Sequence, residues 1–248
     1  MTLSNPLTNR SFDRSSDAMR PVCFTRNYLK TAFGSCLVEF GDTRVLCAAS
    51  IDESVPAWRK GSGKGWVTAE YAMLPASTTQ RTRRETHGQL GRTHEIQRLI
   101  GRSLRAVVDL SALGDATVTV DCDVIQADGG TRTAAICGAW IALSDALAAW
   151  KKAGKIRVNP VFDQLVAVSV GMVDGRLLLD LDYREDSRAE IDMNLVMNGS
   201  GEFIELQGTG ERATFDRARL DALLDLGQIG LMQLLDLQKQ ALSDPAGA

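Results

Sequence analysis

Histidine is scarce in this chain: 248 residues hold only two, His87 and His94, on either side of Gly91. Neither falls into an HExxH or a cysteine–histidine spacing, so a zinc hydrolase would lack its ligands. No GxSxG turn is present either, which leaves a serine nucleophile without support. Proton transfer is therefore expected to fall to carboxylates, water or a substrate phosphate. The five cysteines (Cys23, Cys36, Cys47, Cys122 and Cys137) form no CxxC pair and sit in apolar segments. They read as buried free thiols of a reducing cytoplasm. No run of about eighteen apolar residues occurs, so no membrane span is expected. The opening MTLSNPLTNRSFDRSSDAM lacks the apolar stretch of a secretory signal and reads as a flexible tail over residues 1–19. Proline is sparse, with 6 residues, and no proline- or serine-rich linker divides the remainder. Residues 20–248 are thus expected to form one domain. A net charge of −3 argues against indiscriminate nucleic-acid binding, and no DNA partner is expected, but a local basic patch remains compatible with it.

What the chain does contain is a set of sharply punctuated elements. In VTVDCDVIQ, Val118, Val120, Cys122 and Val124 alternate with polar residues, the period of a half-buried strand. Ile136, Trp140, Leu143, Leu147 and Trp150 then recur at helical spacing until Lys151, Lys152 and Gly154, a helix stop. Between them lies ADGGTR, which places Gly129-Gly130-Thr131-Arg132 at a helix N-terminus. Backbone N–H groups and the positive end of the helix dipole point outwards there, glycine lets an anion approach, and arginine offers a fork to phosphate. A tight turn with a threonine cap accounts for the same residues equally well.

Two further polar clusters stand out. Gly91-Arg92-Thr93 again opens a helix, whose apolar stripe is Ile96, Leu99, Ile100, Leu104 and Val107. DLDYREDSRAEIDMN crowds Asp180, Asp182, Glu185, Asp186, Glu190 and Asp192 beside a strand. Carboxylates this dense are either solvated or bridged by a hard cation such as Mg²⁺. Residues 76–92 hold almost nothing to bury, and Arg81, Arg83 and Arg84 within them suit a polyanion. Elsewhere, Asp174-Gly175 marks a hairpin, MNLVM and EFIELQ flank Asn198-Gly199-Ser200-Gly201, and two helices near 216–226 and 228–242 are expected to divide at Gly227. The hairpin-then-helix grouping occurs twice. The expected class is α+β, with sheets covered by helices.

The run DCDVIQADGGTRTAAI closely resembles the most distinctive segment of the RNase PH family, the phosphate-dependent 3′→5′ exoribonucleases of bacteria. TRNYLK, LVEFGDTRVLC, GWVTAEYAMLP, GRTHEIQRLIGRSLRAVVDL and LLDLDYREDSRAEIDMN extend the resemblance in order across most of the chain. It implies two similar βαβα-type halves in one domain, the ribosomal protein S5 domain 2-like arrangement. It implies phosphate binding by Arg92, Gly130, Thr131 and Arg132, and catalytic, magnesium-associated roles for Asp186 and Asp192. It implies RNA contact by Arg81 and Arg84, tRNA precursors as substrates, inorganic phosphate as co-substrate and a cytoplasmic hexameric ring. The chain departs from the family's usual LPRST at Leu74-Pro75-Ala76-Ser77-Thr78 and is slightly shorter before Gly91. Two other readings of the clusters are a non-catalytic RNA-binding ring subunit and a two-metal hydrolytic nuclease. The intact glycine–arginine starts and paired aspartates oppose the first. Two anion cradles would be superfluous to the second.

Overall fold

The computed structural model describes residues 9–84 and 91–243. His87 lies outside the described residues. Strands β1 (Val22–Arg26), β2 (Gly34–Phe40) and β3 (Thr43–Asp52) form an antiparallel meander, and β2 turns into β3 at Gly41 and Asp42. Strand β5 (Thr117–Gln126) pairs antiparallel with β3, and β4 (Trp66–Met73) closes the five-stranded sheet in parallel beside β5. Parallel neighbours need a crossover. Helices α1 (Gly91–Arg105) and α2 (Leu110–Leu113) lie on it. In β5 the four alternating apolar residues are buried, as their period predicts.

Helix α3 (Thr131–Lys152) packs on β2 and β3 and also on β6 (Leu165–Val173) of a second, four-stranded sheet. That sheet runs β7 (Arg176–Leu179), β6, β8 (Ile191–Asn198), β9 (Phe203–Thr209), all antiparallel. The β6–β7 hairpin turns on Asp174 and Gly175, with φ of +50° and +72°. Two consecutive positive φ values are what a two-residue I′ turn demands. β6 is buried along its whole length, since α3 and the final helix α5 (Arg217–Ser243) both pack on it. One hydrophobic cluster runs through both sheets and their helices. The mixed α/β class and the doubled sheet-and-helix plan match the expectation.

Helix α3 is buried on nearly every side, because a sheet covers it above and below. It is long and apolar enough to cross a membrane by length and composition alone, yet it is the core helix. The two C-terminal helices are one, and Gly227 lies inside it. A Cβ at Gly227 would stand 2.1 Å from Leu195 Cδ1, so the glycine serves close packing of α5 on the sheet. Of the tail expected over 1–19, residues 1–8 lie outside the described residues, while Arg10 and Met19 are each buried at 8% exposure. Of the thiols, Cys36, Cys47, Cys122 and Cys137 are buried, whereas Cys23 is exposed. Burial pushes the Cys137 thiol up to about 12 and so leaves it inert.

Candidate active site

The β5–α3 turn is where the two halves meet. Gly129 has φ +73° and Gly130 φ +63°, the left-handed region that glycine occupies without strain. A Cβ on Gly129 would lie 2.6 Å from the Leu181 carbonyl oxygen and 2.8 Å from the Tyr183 nitrogen, both backbone atoms. The glycine therefore lets the chain after β7 pass directly against the start of α3. Gly130 caps α3, and no side chain occupies the cap, so the first-turn N–H groups face the open side. The Thr131 hydroxyl is fixed by the Tyr71 hydroxyl at 2.8 Å.

Around this turn opens a cleft of about 850 Å³. Arg92, Gly130, Thr131, Arg132, Asp186 and Asp192 all line it. Six residues picked from three separate sequence clusters are thus brought together by α1, α3, α4 (Tyr183–Asp186) and β8. Arg132 Nη1 donates to Gln207 Oε1 at 2.7 Å, and Gln207 Nε2 in turn donates to Glu95 on α1. The two arginine-bearing helix starts are therefore tied together through β9. Nothing in EFIELQ itself marks Gln207. The pairing of Gln207 with Asn194 across β8–β9 is what carries it over α3.

The acidic run divides. Asp180, Asp182 and Glu185 are buried and face arginines, whereas Asp186 and Asp192 turn to the cleft. Asp182 accepts from the Glu185 N–H at 2.9 Å and Glu185 reaches back to the Asp182 N–H at 3.1 Å, a capping box that builds the one-turn α4. Burial pushes the Asp180 carboxyl up, but the Arg20 guanidinium and Arg14 outweigh it and hold it below the usual range.

Asp186 opens to the cleft while protein crowds its other sides. That loss of water raises its carboxyl, an effect that Arg132 and Arg92 partly offset. Asp192 is raised by burial, then by Asp186 and Glu211. Its Oδ1 is buried and has no hydrogen-bond partner among the described residues. A paired, raised set of carboxylates with an orphaned oxygen fits a hard divalent cation that takes one or two carboxylates and completes its shell with water and phosphate oxygens. Among the described residues no third acidic, cysteine or histidine side chain joins the pair in a metal-holding group.

Arg81 and Arg84 are exposed on the segment after the Pro75 turn and do not line the cleft, although Gln80 and Thr82 between and beside them do. Arg84 lies near enough to Asp123 to pull its carboxyl down against the burial that raises it. Tyr183, exposed beside Asp186, also lines the cleft, and the sequence carries no signal for it. A tyrosine in an acidic run carries no periodic signal.

The chain matches the 3′ exoribonuclease family, domain 1, over residues 18–148 and domain 2 of the same family over residues 163–230. It is 57% identical over 239 residues to the Ribonuclease PH of Saccharopolyspora erythraea, covering 95% of each chain. It is 56% identical over 239 residues to that of Moorella thermoacetica, covering 96% of each. Among solved structures, the Archaeoglobus fulgidus exosome with RNA bound to the active site superposes with a TM-score of 0.79 over 92% of each chain at 24% identity. Rice Rrp46 does so with 0.76 over 94% of this chain and all of its own, at 21% identity. At that identity the two structures speak for the fold. With the cleft assembled from both matched domains, the chain belongs to the RNase PH group of the 3′ exoribonuclease family.

Proposed function

We propose that the cleft at the α3 N-terminus is the seat of phosphorolysis, in which inorganic phosphate removes the last nucleotide from an RNA 3′ end. The observation that carries this reading is the convergence of two arginine-bearing helix starts and two carboxylates on one cleft. Phosphate sits at the start of α3, held by the Arg132 and Arg92 guanidiniums and by N–H groups near Gly130 and Thr131. One of its oxygens attacks the phosphorus of the terminal phosphodiester. The bond from phosphorus to the 3′ oxygen of the preceding nucleotide breaks, a nucleoside 5′-diphosphate leaves, and the proton that hydrogen phosphate sheds on attack passes to the 3′ oxygen of the shortened RNA. The nucleophile arrives as substrate, so no activated serine, cysteine or histidine is needed, in keeping with a chain of two histidines. Every step is reversible, and a nucleoside diphosphate can extend the RNA.

Asp186 and Asp192 would hold Mg²⁺, which would neutralise charge that builds on the phosphodiester oxygens. Arg81 and Arg84, on the exposed segment beside the cleft, are suited to track the backbone of tRNA precursors. The reading places the protein in the cytoplasm as a hexameric ring, so that several such segments act on one RNA. Sedimentation is expected to show about six times the 26.9 kDa of one chain. A fully active species of one chain's mass would remove the ring from the reading.

The deciding experiment is product analysis. Nucleoside diphosphates should appear only with phosphate present, and degradation should proceed from the 3′ end and stall at stable stems. Undiminished release of nucleoside monophosphates in phosphate-free buffer would make the protein a hydrolase instead.

A further inference from the structure

Three arginines of the N-terminal segment hold the two walls of the cleft without lining it. Arg10 Nε and Nη2 donate to Glu185 at 2.7 and 3.0 Å, and Nη2 also reaches the Leu179 carbonyl at 2.6 Å. Arg14 stands 3.4 Å from Glu185 and 3.5 Å from Asp180. Arg20 bridges the halves: its Nε and Nη2 donate to Asp180 at 2.9 and 2.7 Å, and its Nη1 to the Asp128 carbonyl at 2.5 Å. Thr43 completes the node, donating to the Gly129 carbonyl at 2.6 Å and accepting from the Asp128 N–H at 2.9 Å.

A buried ion network is a poor source of net stability, because taking charges out of water costs about as much as their attraction returns. Its use lies in geometry. One end fixes the carbonyls of the turn that presents Thr131 and Arg132. The other fixes Glu185 and the Leu179–Asp180 backbone, and so the capping-box helix that presents Asp186.

We propose that Arg20 is a positioning residue for the phosphate cradle and that Arg10 and Arg14 position the Asp186 turn, which makes the segment from Arg10 to Arg20 part of the catalytic apparatus. The proposal rests on the phosphorolytic reading. It is tested on the full chain by calorimetric titration with inorganic phosphate. In Arg20→Lys one ammonium cannot serve both Asp180 and the Asp128 carbonyl, and phosphate affinity should fall about tenfold. Thr43→Val, which removes no charge and so serves if Arg20→Lys does not fold, should weaken phosphate about threefold.

Arg10→Lys should leave phosphate affinity within twofold of wild type but weaken Mn²⁺ binding, followed by its paramagnetic resonance, by about tenfold, the scale of a lost outer-shell contact. A merely structural role would lower the melting temperature of these variants and leave their binding constants unmoved. That result, with wild type binding phosphate normally, overturns the positioning role of the three arginines alone. A wild-type protein that binds no phosphate overturns the phosphorolytic reading and the positioning role together.

Discussion

Asp186→Asn and Asp192→Asn are each expected to lower turnover by about 100- to 1000-fold, the scale of removing one electrostatic stabiliser from a reacting centre, while RNA affinity stays within about threefold. The amide keeps the shape of the carboxylate but cannot offer the charge that a hard cation requires. The same variants should not be unstable. Burial raises both carboxyls, so the fold favours their protonated forms. Their contribution to stability is complete below the ordinary carboxylate value of about 4 and is lost as pH rises through the raised values. At neutral pH without divalent cations the asparagine variants should therefore melt at or above the wild-type temperature, and the difference should vanish below about pH 4. Added Mg²⁺ should raise the wild-type melting temperature more than that of either variant. Wild-type turnover in both variants across a magnesium titration would return the two carboxylates to an ordinary solvated role.

The strands and the cleft were legible where local chemistry is periodic or punctuated. The alternation in β5 names its buried face outright, and Asp174-Gly175 names its turn, because both depend on neighbours within a few residues. Arg92, Gly130, Thr131 and Arg132 are legible as helix starts and Asp192 as a strand-end carboxylate, whereas Asp186 stands out from the acidic run only through the family resemblance; the fold gathers all six into one cleft. The failures share a cause. Arg10 looks like a solvated charge in a polar tail, and its partner Glu185 lies 175 positions away. The acidic run looks like one cluster by composition. Only the capping box and the register of β8 show that Asp182 and Glu185 point inwards while Asp192 faces the cleft. Gly227 carries the ordinary sign of a helix break, yet its reason is Leu195 on a strand packed beneath it. In each case the deciding neighbour is distant in sequence, and no local propensity contains it.

Arg132→Lys and Arg92→Lys are expected to raise the apparent phosphate constant by about ten- to a hundred-fold, which corresponds to losing one charge-assisted hydrogen bond of roughly 1.5–3 kcal/mol. The arginines, rather than the glycines, carry the case for an anion here. Gly129 is required by the passage of residues 181–183 against its Cα whether or not phosphate binds, so its presence is explained by packing alone. Arg132 has no such structural excuse. Among the described residues its side-chain bond to Gln207 uses a single N–H and leaves the rest of the fork to face the cleft. Lysine keeps the charge but is a compact point donor, unable to hold Gln207 and offer parallel bonds to one phosphate. Gln207→Leu should act in the same direction and more weakly, about threefold, because the fork survives while its tether to Glu95 is lost. RNA binding measured without phosphate should change little in all three, since Arg81 and Arg84 lie outside the cleft lining. The measurement is the phosphate dependence of the initial rate at saturating RNA. If both lysine variants stay within twofold of wild type, the arginines are not the clamp, and Gly129-Gly130-Thr131-Arg132 is a turn shaped only by the chain that crosses it.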